Sequence, residues 1–162
     1  MKLILGVLAA ATLAGCTLDT GPKDINTDPA TETFAASLGV DIPTMTKTQA
    51  GDYYKDIKVG TGDAIAGDAE VAFKYTGYIK DGRAFESESV ALNSPTPATI
   101  SGLIIGLRDG LQGMQRGGER LIVIPSDYGF ATSTYTGSTG VTVPPNSTLI
   151  IDITLNDFAP VP

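Results

Sequence analysis

Apolar residues along this chain follow two periods, and the change between them marks a helix among strands. Across Ala69–Ile79, Val71, Phe73 and Tyr75 alternate with Glu70 and Lys74, the pattern of a strand with one buried face. Lys80-Asp81-Gly82-Arg83 follows as a hairpin turn with Asp-Gly at its centre, and Ala84-Phe85-Glu86 begins the return strand. Upstream, Tyr53 to Val59 is rich in β-branched and aromatic residues. Tyr53, Ile57 and Val59 share a parity, which predicts one buried face, and Gly60-Thr61-Gly62-Asp63 ends the strand as a turn. Glu88 to Pro97 reads as a loop broken by Asn93, Ser94, Pro95 and Pro97, with a short strand at Ala98-Thr99-Ile100. From Leu103 to Gln115 the period changes. Leu107, Leu111 and Met114 fall at i, i+4 and i+7 on one helical face, and Gly117-Gly118 stops the helix. A dense apolar strand runs from Glu119 to Pro125. A last strand, Ser147 to Phe158, places Leu149, Ile151, Ile153 and Leu155 in strict alternation. Strand and helix do not alternate in this order. The fold class is therefore α+β, an antiparallel sheet of five or six strands wrapped around one short α-helix. The long Gly-, Ser- and Thr-rich loop from Ser126 to Val143 needs a functional reason inside a compact domain.

The N-terminal pattern is different. Lys2 precedes an apolar run from Leu3 to Ala14, too short to span roughly 30 Å of hydrocarbon as a helix. It has the form of an export signal ending in small residues. Leu13-Ala14-Gly15-Cys16 resembles the bacterial lipobox, which implies cleavage before Cys16 and a lipid on its thiol. Residues 1–15 are then a signal peptide, and 16–44 the lipidated N-terminus and a flexible tether, polar from Thr17 to Thr33. Phe34, Leu38, Val40, Ile42 and Met45 could pack on a domain surface, with a helical turn at Phe34–Leu38. Residues 45–162 are expected to form the folded domain. The expected location is the cell envelope, after export. With two membranes that is the outer membrane facing the periplasm, since Thr17 rather than Asp follows Cys16; otherwise it is the outer face of the cell membrane.

Composition narrows the chemistry. One cysteine rules out an intramolecular disulfide, and a free N-terminal thiol in an exported protein is otherwise unexplained. No histidine is present, which removes His-based triads, most zinc sites and imidazole acid–base catalysis. With 18 Asp and Glu against 11 scattered Lys and Arg, nucleic-acid binding is not expected. No cofactor or metal is implied, and without a dimerisation arm a monomer is the default.

Four stretches in order resemble FKBP-type peptidyl-prolyl cis-trans isomerases. Val71-Ala72-Phe73-Lys74-Tyr75-Thr76-Gly77 with Asp81-Gly82-Arg83-Ala84-Phe85-Glu86-Ser87 is similar to the family's V-x-x-H-Y-T-G … D-G-x-x-F-D-S. Leu103 to Leu111 resembles V-I-x-G-W/L-x-E-G-L, and Met114 to Pro125 resembles M-x-x-G-x-x-x-x-x-x-I-P. Val143 to Ile153 resembles I-P-P-N-A-T-L-x-F-x-V. Together they cover Gly51 to Phe158. The resemblance implies a half-barrel around a helix, no cofactor, and proline-containing or unfolded exported polypeptides as substrates.

The same resemblance implies a pocket. Tyr75 and Phe85 would line one wall, Leu107 the floor, and Leu103 and Ile104 the edge, with the Ile104 N–H donating to a substrate carbonyl. Val143 and Ile151 would close the far side. Glu86 stands where the family usually has Asp, and Phe130 where it usually has Tyr. Glu86 pushes its charge one methylene further, and Phe130 lacks a hydroxyl donor. These departures predict reduced activity, and predict that Glu86→Asp with Phe130→Tyr raises the rate. A weakly catalytic chaperone or peptide-binding module on the same fold is the alternative. A structural envelope protein without a deep apolar cavity is a third reading.

Overall fold

The computed structural model of the chain describes residues 28–92 and 98–161. The expected signal, Cys16 and the first part of the tether lie outside these residues, as do the breakers Asn93 to Pro97.

Strands β1 (Thr46–Lys47), β2 (Tyr53–Lys58), β3 (Thr61–Ala64), β4 (Ala69–Ile79), β5 (Ala84–Val90) and β6 (Ala98–Thr99) precede the helix α1 (Ile105–Leu111). After it come β7 (Gln115–Arg116), β8 (Glu119–Ile124), β9 (Tyr135–Thr136), β10 (Thr142–Val143) and β11 (Leu149–Pro160). The main sheet is antiparallel, in the order β1-β2-β8-β11-β4-β5, with β6 on β4. β9 and β10 make a separate hairpin, and β3 pairs with β7. This is the expected α+β architecture.

The sheet curls around α1, and its inner face is the core. Val71 and Phe73 on β4, and Leu149, Ile151, Ile153 and Leu155 on β11, are buried there with Leu107, Leu111 and Met114. Two glycines set the distance between helix and sheet. A Cβ on Gly106 would lie 2.2 Å from the Ile124 side chain, and one on Gly110 2.7 Å from Ile122. The helix is shorter than Leu103–Gln115: it is preceded by a 3-10 turn at Ile100–Gly102, and Gln112 is already extended. Arg120 ends it by donating to the carbonyls of Gly110 (2.7 Å) and Gln112 (2.9 Å), which the lost turn leaves without helical partners.

The outer face of the sheet is covered too. Phe34, Leu38, Val40, Ile42 and Met45 pack against Tyr53, Leu121, Val123 and Ile150. Glu32 pairs with Lys80 at 2.8 Å and accepts a hydrogen bond from the Thr148 hydroxyl. The Tyr53 hydroxyl donates to Asp28 at 3.0 Å. Residues 28–44, placed by the sequence reading in the tether, thus lie on the sheet. This second cover explains why β8 is apolar on both faces.

Other differences are local. Tyr53 is buried, but Ile57 and Val59 are 55% and 71% exposed, because the register of β2 slips between Asp56 and Lys58. The expected turn at Gly60–Asp63 is largely strand β3, and Glu88–Val90 extends β5 rather than opening a loop.

Candidate active site

Between the inner sheet face and α1 lies a cavity of about 240 Å³. β4 supplies Tyr75, β5 supplies Phe85 and Glu86, and β11 supplies Leu149 and Ile151. Leu107 comes from α1, and Gly102, Leu103 and Ile104 from the chain entering it. Phe130 and Tyr135 close the cavity from the loop after β8. Eight of the nine candidate side chains therefore meet in one place. Val143 does not line it. It is fully buried in the core, paired across the β9–β10 hairpin with Tyr135, so it backs the wall rather than forming it.

The walls are aromatic. The Phe85 ring meets Phe130 and Tyr135 edge-on, each at 6.0 Å between centroids, while Phe130 and Tyr135 stack at 4.3 Å. Phe85 sits over Gly77 so closely that a Cβ there would lie 2.5 Å from the ring. Glycine in β4 thus makes room for the wall. At the head of α1 no described residue supplies an acceptor to the Ile104 N–H.

Among the described residues Glu86 is the one charged side chain lining the cavity, and it is 4% exposed. Burial works to raise its pKa. Hydrogen bonds from Ser138 and from the Tyr135 hydroxyl outweigh it, so the carboxyl titrates below its usual range. The bond to Glu86, then burial, push Tyr135 up to about 12. Tyr75 is also raised, by burial first and then by the charges of Glu86 and Glu88. Both tyrosines are neutral at ordinary pH.

Tyr135, Leu149 and Gly102 were not foreseen in the sequence. Leu149 shares the parity of Ile151. Tyr135 had a signal as well: Thr134-Tyr135-Thr136 and Val141-Thr142-Val143 flank a Gly-Ser-Thr-Gly turn, a hairpin pattern. A second cavity, about 340 Å³, lies among Glu32, the Ile79–Arg83 turn and the Pro144–Thr148 loop. Its charges are paired as Glu32–Lys80 and Asp81–Arg83, and it holds none of the aromatic wall. Among the described residues no group of three or more His, Cys, Asp or Glu could hold a metal ion.

Comparison with known proteins gives one family. Residues 61–156 match the family described as FKBP-type peptidyl-prolyl cis-trans isomerase. A probable FKBP-type peptidyl-prolyl cis-trans isomerase of Haemophilus influenzae is 35% identical over 122 residues, 75% of this chain and 47% of that protein. An FK506-binding protein of Neisseria meningitidis serogroup B is 34% identical over 105 residues, 62% of this chain and 90% of that one. The crystal structure of FkpA from Escherichia coli superposes with a TM-score of 0.56 at 30% identity, covering 73% of this chain and 53% of that one. The chain spans about half the length of the Haemophilus and Escherichia relatives it matches.

Proposed function

The chain belongs to the FKBP-type peptidyl-prolyl cis-trans isomerases, and from that premise we propose that it isomerises Xaa-Pro bonds in exported polypeptides, held at a membrane surface by a lipid on Cys16. The observation that carries the reading is the cavity itself, aromatic and aliphatic apart from the Glu86 carboxylate, the Tyr75 and Tyr135 hydroxyls and backbone groups.

The reaction has to cross a barrier of about 18–20 kcal/mol, set by the amide resonance that twisting destroys. Resonance puts partial charge on the planar amide's oxygen and nitrogen, so the twisted amide is the less polar form. An apolar cavity removes water from the planar form and so lowers the relative cost of twisting. Phe85, Phe130, Leu107 and Ile151 would hold the proline ring. The Ile104 N–H would fix a neighbouring carbonyl, so that one side of the bond is held while the other turns. No proton need be transferred, which suits a site whose tyrosines remain neutral and whose carboxylate remains ionised.

Location is part of the proposal. Lipid attachment rests on Leu13-Ala14-Gly15-Cys16, and among the described residues no helix is long and apolar enough to cross a membrane. The packed segment from Asp28 onward would leave a tether of about a dozen residues, reaching at most roughly 40 Å. The domain would then work close to the surface where exported chains emerge. The test is a proline-isomerisation assay on an Xaa-Pro peptide, with membrane fractionation of the chain and of Cys16→Ser. Acceleration above background, and release of the variant into the soluble fraction, are expected. A folded chain that accelerates nothing contradicts the activity, and a Cys16→Ser chain that stays membrane-bound contradicts the anchor.

A further inference from the structure

We propose that Glu86 is a positioning residue that latches the Tyr135–Val143 hairpin onto the edge of β5, and that the latch sets Tyr135 as the hydroxyl facing the substrate. The inference rests on the isomerase reading of the cavity and assigns a role to a residue of its loop.

β5 is an edge strand of the main sheet, and the turn between β9 and β10 lies along it. The Thr139 N–H donates to the Phe85 carbonyl at 3.3 Å, and its hydroxyl donates to the Ala84 carbonyl at 2.7 Å. The Ser87 N–H donates to the Ser138 hydroxyl at 3.4 Å. At Gly137 the two backbones run so close that a Cβ would lie 1.8 Å from the Phe85 carbonyl oxygen. Glu86 joins the strand to both ends of this seam. One carboxylate oxygen accepts from the Ser138 N–H at 3.1 Å, and the other accepts from the Tyr135 hydroxyl.

Side-chain length matters here. An aspartate at this position would draw the carboxylate back by about one carbon–carbon bond, roughly 1.5 Å, out of hydrogen-bond reach of at least one partner. The extra methylene of Glu86 is thus matched to this hairpin. The hydroxyl that Phe130 lacks is supplied by Tyr135, whose ring stacks on Phe130. Its proton is committed to Glu86, so towards the cavity the oxygen offers lone pairs only. It accepts a hydrogen bond from an N–H of the bound peptide, where a free tyrosine could also donate one. The expectation that Glu86→Asp with Phe130→Tyr raises the rate is thereby reversed for its Glu86→Asp half.

The test compares the chain with Tyr135→Phe, Glu86→Asp, Glu86→Gln and the Tyr135→Phe/Glu86→Asp double variant. Two readouts are taken: amide hydrogen exchange at Ser138 and Thr139, and KM and kcat on an Xaa-Pro peptide. Tyr135→Phe and Glu86→Asp should each speed exchange about 10-fold and raise KM about 3- to 10-fold, with a smaller fall in kcat. The double variant should be no worse than the worse single one, because both break one unit. Glu86→Gln keeps the length and an acceptor oxygen, and should recover part of what Glu86→Asp loses. A residue that merely props up the fold would lower melting temperature without this KM effect or rescue. The proposal is overturned if Glu86→Asp matches or exceeds the parent chain in both readouts, or if the two losses multiply. A parent chain with no isomerase activity would sink the functional reading, while exchange at Ser138 and Thr139 would still decide the latch.

Discussion

Replacing Asp52 by Asn should stabilise the protein, and only above about pH 4. Asp52 is fully buried just before β2, and among the described residues neither carboxylate oxygen has a hydrogen-bond partner. Its backbone is what is used: the N–H donates to the Thr48 hydroxyl at 3.2 Å, and the carbonyl accepts from the Thr48 N–H at 2.8 Å. Burial first, and the charge of Asp109 second, raise its pKa from 3.8 to about 6. The folded pKa lies above the unfolded one, so between about pH 4 and 6 the folded chain holds the extra proton. Stability is therefore highest below that window and falls as pH rises through it. A displacement of this size costs the folded state at most about 3 kcal/mol once the group is ionised. Asn cannot ionise and has nearly the same shape, with an amide as poorly partnered as the neutral carboxyl. Urea unfolding of both chains from pH 4 to 8 should give curves that meet near pH 4 and separate by about 2–3 kcal/mol at pH 8. Other carboxylates cancel in the difference. Parallel curves, or a gap that widens towards acid, would mean that ionisation of Asp52 is not what destabilises the fold.

Other consequences are simpler to read. Arg120→Met removes a guanidinium whose side chain is 4% exposed, leaving the Gly110 and Gln112 carbonyls and Asp56 without it; unfolding free energy should drop by about 3–5 kcal/mol in urea titration. Gly77→Ala forces Phe85 into the cavity and should lower kcat/KM at least about 10-fold while the circular dichroism of the sheet persists. Deleting residues up to 45 uncovers Tyr53, Leu121, Val123 and Ile150, and should cost several kcal/mol of stability, roughly the burial of two or three large side chains, while leaving the cavity lining in place.

Much of the sheet was legible because burial on one face writes period two directly, as in β4 and β11. Failures came where a second surface or a local irregularity intervened. Ile150 is buried on the face that alternation assigns to solvent, because the segment from Phe34 to Met45 covers it. Ile57 and Val59 follow the right parity, but the slip in β2 turns them outward. The helix ended early because Arg120, distant in sequence, accounts for its last carbonyls. At the site, Tyr75, Phe85, Leu107 and Ile151 on regular elements follow from the family motifs, whereas Tyr135 lies in the loop between two motifs, which nothing in them describes. Glu86 was seen as a weakness for the same reason. Its partners, Tyr135 and Ser138, lie about fifty residues away, and nothing at position 86 itself announces them.

The most direct measurement is the rate of cis–trans isomerisation of an Xaa-Pro peptide with the purified chain and with Phe85→Ala. Phe85 touches both Phe130 and Tyr135 and forms the wall on which the cavity depends. Catalysis in this cavity requires acceleration proportional to the concentration of the parent chain, and loss of most of it in the variant once both are shown to be folded. A folded parent chain that leaves the uncatalysed rate unchanged, or a variant that keeps the full rate, would contradict it.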